Sequence, residues 1–363
     1  MTAKHYIYIG YNTCYILCRG AFNLSMKRVT SFDVAKRAGV SRSVVSAVLN
    51  DTPGIGVSQE KREAVLEAIR ELNYHVDARA SGMKTGKSFC IAAFGNTRNP
   101  LFLQVLEGIQ RACTEYGYHI LLSGDPNMDI SKLADLYLQR RIDGIISLDS
   151  VNAVDESWAQ VQKDSGIPFV SIEGFAEESE VVSILVNYKQ SVVQALTHMN
   201  ERVGIQPIYV IFRNEDDIEN WAERDRREAY LTWCEQHARN PRVRVITIGD
   251  EHAIMELLQE ISTDKHGGVP SVLVNWSVGV PLMYRKAYEL RLRIGEDIFL
   301  MSADNTKRNN QAMLPILSVM DIPYVRMGEM AVHALNEQMN QAKAPSIANK
   351  LWVEAELQPG ESS

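Results

Sequence analysis

The chain has little cysteine: five residues among 363, Cys14, Cys18, Cys90, Cys113 and Cys234, an odd and scattered set. Such a set gives no disulfide framework and suits a cytoplasmic protein, whose thiols stay reduced. Cys14 and Cys18 stand four apart with no second ligand pair nearby, so neither a metal site nor a cofactor is expected. Long apolar runs are missing too. The stretch from Tyr6 to Leu17 is interrupted by Gly10, Asn12 and Thr13, is too short to span a bilayer and has no convincing cleavage site. No membrane partner is expected. Catalytic signatures are also absent: there is no GxGxxG, GxxxxGKS, GxSxG or HExxH in strand-to-helix context, and the eight histidines are dispersed. The chain is therefore read as a non-enzyme.

The length suits a small module attached to a large two-lobed body. Charge divides the same way. Residues Met26–Lys87 carry a net +4 and the first 25 residues +2, which leaves −13 on the rest of a chain whose total is −7. A basic module on an acidic body suits phosphate contact at one end only.

Within the basic module, VTSFDVAKRAGVSRSVVSAVLN (Val29–Asn50) reads as two short helices around a tight turn. Thr30 with Asp33 forms a capping box, and Gly39 supplies the left-handed residue that stops the first helix. Ser41 caps a second helix. Val44, Val45, Val48 and Leu49 face inward there, and Arg42, Ser43, Ser46 and Ala47 are left outside. A small, hydroxyl-rich outer face with one arginine lets a helix approach base edges closely. A third helix, Gln59–Leu72, follows Ser58 with Val65, Ile69 and Leu72 on one face. The basic connector ELNYHVDARASGMKTGKS then leads into a long α/β pattern.

Together, VTSFDVAKRAGVSRSVVSAVLN, VSQEKREAVLEAIRELNY and MKTGKS resemble the DNA-binding headpiece of the lactose/galactose repressor (LacI/GalR) family. The likeness is specific over about sixty residues and looser over the remainder. It divides the chain into an extension or upstream start (1–25), a helix-turn-helix headpiece (26–75), a hinge (76–87) and an effector-binding, dimerising body (88–363).

In the body, apolar strands are expected at Phe89–Phe94, His119–Ser123, Gly144–Leu148, Pro168–Ile172, Ile208–Phe212, Val243–Ile248, Ser271–Asn275 and Ile298–Ser302. Amphipathic helices such as Leu101–Tyr116, Lys132–Arg141, Lys189–Arg202, Trp221–Gln236, Ala253–Ile261 and Val280–Arg291 separate most of them. That alternation calls for parallel sheets covered on both faces, two rather than one. The resemblance implies a periplasmic-binding-protein-like body: two Rossmann-like subdomains crossed three times, near Asn187, Asp304 and Pro323.

Ligands of such sheets sit at the carboxyl ends of the strands. The resemblance places effector contacts at Asn99, Leu101 and Phe102 in the loop after the first strand, and at Glu173, Arg226, Trp276 and Asp304. Carboxylates and a guanidinium suit vicinal hydroxyls, and an aromatic ring suits a sugar's C–H face. Two assignments stay open: Arg226 lies in the charge run ENWAERDRRE beside Arg227, and Trp276 serves core packing as readily as stacking. The pocket departs from the family where Trp276-Ser277 replaces Asn-Asp. A carbohydrate is thus the family's default, with a nucleobase, sugar acid or phosphorylated sugar still open.

On the DNA side, Arg42, Ser43 and Ala47 take the family's operator-choosing positions. Ser41 stands at the same helix end, and Thr30, Ser46, Asn50 and Ser58 are placed for phosphates. Met83 takes the place of the hinge leucine that wedges the minor groove. Val76 replaces a proline there, and Gly82 lowers helix propensity by about 1 kcal/mol. Paired hinges and palindromic operators imply a homodimer. No heptad tail follows Leu357 to support a tetramer of the lactose-repressor kind. The expected function is an effector-controlled, operator-binding repressor. The alternative is a small-molecule or tethered sensor whose headpiece reads no specific operator.

Overall fold

The computed structural model describes residues 29–49, 56–75, 86–124, 130–148, 165–174, 181–203, 206–217, 219–263, 268–306, 310–340 and 349–363. Residues 1–25, Asn50, Val76, Gly82 and Met83 lie outside that set. The chain divides into two compact units, Met1–Ser81 and Gly82–Ser363.

The first unit has three helices among its described residues: α1 (Ser31–Ala38), α2 (Arg42–Leu49) and α3 (Gln59–Glu71). The Asp33 carboxylate accepts from the Thr30 N–H (2.9 Å) and hydroxyl (2.7 Å), which fixes the start of α1. Gly39 ends it at φ 66°, a conformation that a Cβ disfavours. The Ser58 hydroxyl accepts from the Lys61 N–H and opens α3. Val34, Ala35, Val45, Val48, Val65 and Ala68 form the shared core.

The second unit contains two six-stranded sheets. In chain order its elements are β1 (Cys90–Phe94), α4 (Pro100–Tyr116), β2 (His119–Ser123), α5 (Ile130–Leu138), β3 (Gly144–Leu148), β4 (Phe169–Ile172), β5 (Val182–Val186) and α6 (Tyr188–Val203). Then come β6 (Ile208–Arg213), α7 (Trp221–Gln236), β7 (Val243–Thr247), α8 (Glu251–Thr263), β8 (Ser271–Val274), α9 (Val280–Glu289) and β9 (Phe299–Ser302). The last are β10 (Ser318–Asp321), α10 (Tyr324–Asn340), β11 (Lys350–Val353) and β12 (Glu356–Gln358).

Lobe one carries the order β11-β5-β4-β3-β1-β2 and lobe two β12-β10-β9-β8-β6-β7. Every pairing is parallel except β12 against β10. Central strands β3, β4, β5 and β8 are buried along their length, as parallel strands covered on both faces must be. The helix α10 packs on α4 and on β3, β4 and β5, whereas α6 packs on α7, β8, β10 and β12. Where α4 meets α10, a Cβ on Gly108 would lie 1.8 Å from the Val325 carbonyl oxygen, so glycine alone permits that crossing.

The chain changes sheet between β5 and β6, again between β10 and β11, and finally between β11 and β12. The expected crossings at Asn187 and Pro323 match this path. The crossing expected at Asp304 is corrected: β9 and β10 are parallel neighbours in one sheet, and the third change falls between Val353 and Glu356. Beyond β12, the Ser362 backbone accepts from Leu300 (2.8 Å), and its hydroxyl accepts from the Ser318 N–H (2.9 Å).

Candidate functional site

The exposed end of α2 presents Ser41, Arg42 and Ser43. The Ser41 and Ser43 hydroxyls lie 2.7 Å apart, and the Ser41 oxygen faces the Val44 N–H at 3.4 Å. Thr30 and Ser58 are exposed, each at the start of its helix, and Ser46 is half-buried. Ala47 departs from expectation. It is 3 % exposed, so its methyl belongs to the inner side of α2 and is not on the outer face. Small residues on both faces of an eight-residue helix left that boundary undefined in the sequence.

In the body, three of the expected effector contacts converge between the lobes. Glu173 follows β4, Arg226 lies on α7 and Asp304 follows β9; they are 4 %, 3 % and 2 % exposed. Glu173 takes φ 66°, an uncommon conformation for a side chain with a Cβ, and its N–H bonds the Ile184 carbonyl at 2.9 Å. Burial raises its carboxyl to a pKa of about 7, against the opposing pull of the Tyr188 hydrogen bond and the Arg226 charge. Burial also raises Asp304, again opposed by Arg226 and by hydrogen bonds from Ser277 and Ser302. Asp304 accepts from the Ser277 N–H (2.5 Å), the Ser302 hydroxyl (3.0 Å) and the Thr306 N–H (3.1 Å).

The two adjacent arginines differ in setting. Arg227 forms a partly exposed pair with Glu219 at 2.7 Å, whereas Arg226 is buried with its guanidinium carbon 3.7 Å from the centre of the Tyr188 ring. Burial works against the Arg226 charge, yet its pKa rises because Tyr188, Tyr209 and Asp304 face it.

Other expected contacts have structural duties. The Asn99 side chain caps α4 by accepting from the Leu101 N–H at 3.0 Å. Leu101 is half-buried against the core, and Phe102 is a core side chain whose ring fills the space beside Gly95. Trp276 is half-buried, between Ser277 and Asn275. Asn275, which sequence reasoning passed over, joins β8 to β6 through the Phe212 N–H (2.7 Å) and carbonyl (3.2 Å).

Several residues of the site were not foreseen. The Tyr188 hydroxyl donates to Glu173, Tyr324 reaches the Tyr188 hydroxyl, and the Trp221 indole N–H donates to the Glu173 carbonyl at 2.9 Å. Gln104 on α4 donates to the Thr306 carbonyl at 2.8 Å. Tyr188 and Tyr324 open the helices that follow two of the sheet crossings, and that position was their only signal. Glu173 Oε1, Arg226 Nε and the Tyr209 hydroxyl are buried without a hydrogen-bond partner. Buried polar atoms are seldom left unpaired, and Glu173 and Tyr209 each face Arg226, so this part of the body is the candidate place for a polar ligand.

Comparison with known proteins finds matches over both units. Residues 32–77 match the family of bacterial regulatory proteins, lacI family. Residues 91–262 match the periplasmic binding proteins and sugar binding domain of LacI family, and residues 197–363 a periplasmic binding protein-like domain. The chain is 26% identical over 327 residues to catabolite control protein A of Priestia megaterium, covering 88% of this chain and 95% of that one. It is 28% identical over 313 residues to the HTH-type transcriptional repressor PurR of Serratia proteamaculans (strain 568), covering 85% and 89%. In fold it is similar to the lac repressor dimer bound to operator and the anti-inducer ONPF, with a TM-score of 0.74, 20% identity, and 92% and 99% coverage. It is also similar to a transcriptional regulator CelR–cellobiose complex, with a TM-score of 0.63, 21% identity, and 93% and 100% coverage. The chain belongs to the LacI/GalR family of DNA-binding transcriptional regulators.

Proposed function

We propose that this regulator is a repressor that binds a palindromic operator as a homodimer in the cytoplasm, and that a small carbohydrate between the lobes of its body sets its affinity for DNA. The observation that carries the effector half is the buried meeting of Glu173, Arg226 and Asp304 with Glu173 Oε1, Arg226 Nε and the Tyr209 hydroxyl unpaired. Forked charged donors and acceptors at one point suit vicinal hydroxyls. On the DNA side, Arg42 and Ser43 are the exposed side chains available to base edges, and the hydroxyls of Thr30, Ser41, Ser46 and Ser58 serve register. A helix-turn-helix reads two half-sites through two copies. The edge strand β2 and helix α4 offer a face for the second copy, with Leu103, Leu121 and Leu122 exposed. No helix among the described residues is long and apolar enough to cross a membrane.

The test is binding of the full chain to a palindromic operator from its own upstream region, at several salt concentrations, with and without a panel of mono- and disaccharides. Saturable binding that survives competitor DNA and shifts with one compound supports the reading. Binding that is salt-sensitive but indifferent to sequence would leave the body as a ligand sensor and the headpiece as a phosphate binder.

A further inference from the structure

The interlobe site is filled by the chain's own side chain. Tyr188 is 2 % exposed, and two of the groups assigned to the effector, Arg226 and Glu173, close around it. The Arg226 guanidinium covers one ring face at 3.7 Å, and the Trp221 ring lies 5.4 Å away between centroids. The hydroxyl donates to Glu173 and is within reach of Tyr324. Tyr188 stands on a lobe-two helix, whereas Glu173 and Tyr324 belong to lobe one, so this phenol ties the lobes together. A single apolar cluster continues through it, from Ile91 on one side to Leu273 on the other.

We propose that Tyr188 is the resident occupant of the effector site, and that the effector is an uncharged, hydroxyl-bearing ring compound that displaces it by reproducing its two contacts: a ring face beneath Arg226 and a hydroxyl to Glu173. This rests on the interlobe site being the effector site. Charge gives no opening for an ionic ligand. Burial raises both carboxyls toward their neutral forms and Arg226 already faces them, so an added charge would be buried with no unmatched partner to meet it. Displacement has a driving force. Tyr188 has one hydroxyl and leaves Glu173 Oε1, Arg226 Nε and the Tyr209 hydroxyl unpaired, while a ring with several hydroxyls can satisfy them. Internal occupancy also lowers apparent affinity, because a ligand must compete with a group that never leaves the chain.

The experiment uses the full chain and p-cresol, the tyrosine side chain as a free molecule. In Tyr188→Ala, millimolar p-cresol raises the melting temperature saturably by several degrees and leaves the wild type unmoved. No effect on folded Tyr188→Ala, or an equal effect on both proteins, overturns the proposal. Tyr188→Phe keeps the ring and removes the tie to Glu173. Exchange of the Trp221 indole proton, followed by NMR, should then rise about ten-fold, and an unchanged rate counts against the proposal. A saccharide panel separates this inference from the effector reading. A saccharide that binds wild type and Tyr188→Phe equally would keep the effector site and overturn the occupant. Rescue by p-cresol with no saccharide bound would uphold the occupant and count against a carbohydrate effector.

Discussion

The three-helix unit keeps its charge in solvent, whereas the interlobe site buries it. The Arg37–Glu71 pair, which joins α1 to α3 at 2.7 Å, has both side chains about half exposed. Such pairs contribute roughly 0–1 kcal/mol. Between the lobes, the Arg226 guanidinium and the two carboxyl groups that face it are almost wholly removed from water. A charge of that kind holds its state only while its neighbours hold theirs. Function follows the same division. The headpiece meets a polyanion and works with exposed, independent contacts. The body must detect one small molecule, which requires groups whose energies depend on each other.

The largest effect that can sharpen this contrast is Arg226→Met. It leaves Glu173 and Asp304 buried without their facing cation, a change on the order of 3–5 kcal/mol for a broken buried pair. Calorimetry should show the body's transition falling sharply while the headpiece transition stays in place. Equal loss of both transitions would mean that the two units do not unfold separately.

A smaller effect comes from protons. Glu173 is raised to about 7 in the folded chain, above its ordinary value of 4.5. The folded state therefore holds a proton that the unfolded chain releases, and stability falls as pH rises. The contribution is complete below about pH 4.5 and lost by about pH 7, on the order of 3 kcal/mol in all. Glu173→Gln should flatten the pH dependence of the body's melting temperature over that window. Because Asp304 is displaced in the same direction, the informative quantity is wild type minus variant. A variant whose slope equals the wild type's would remove Glu173 as the titrating group.

The same contrast explains what could be read from the sequence. In the headpiece the deciding groups lie within four positions of one another: Thr30 with Asp33, Gly39 after Ala38, and Ser58 with Lys61. Strands β2 and β3 were expected at their observed ends because parallel strands are short apolar runs between helices. Strand β5 was missed, since a run such as VSILV carries no period of its own. The crossing misplaced at Asp304 has a related cause: alternation of strand and helix does not say which sheet a strand joins. Family likeness singles out Glu173, Arg226 and Asp304 as candidates, but not Tyr188 or Tyr324. They meet only because the chain has crossed between sheets, and no residue near either one records that meeting.

The headpiece supplies the next test. Arg42→Ala should cost about 1–3 kcal/mol of discrimination at the operator base it reads, or roughly ten- to a hundred-fold, while binding to random DNA weakens little. Competition gels with single-base operator variants measure this. Uniform weakening across all variants would place Arg42 on phosphate instead. The buried Ala47 sets the companion expectation. Ala47→Ser should disturb folding of the headpiece before it alters base preference.

The smallest expected effect is also the most local. Asp33→Ala removes the acceptor of both Thr30 bonds, at 2.9 and 2.7 Å, and should lower headpiece stability by about 1 kcal/mol. Part of that loss is the carboxylate's favourable place in the first turn of α1, so added salt should shrink the difference between wild type and variant. The body's transition and the pH dependence of Glu173 should not change, because both Thr30 bonds that are lost lie at the start of α1, in the other compact unit. A shift in the body's melting temperature would show that the headpiece passes stability to the lobes. The separation between exposed, local energetics and buried, coupled energetics would then hold for the two sites but not for the two folding units.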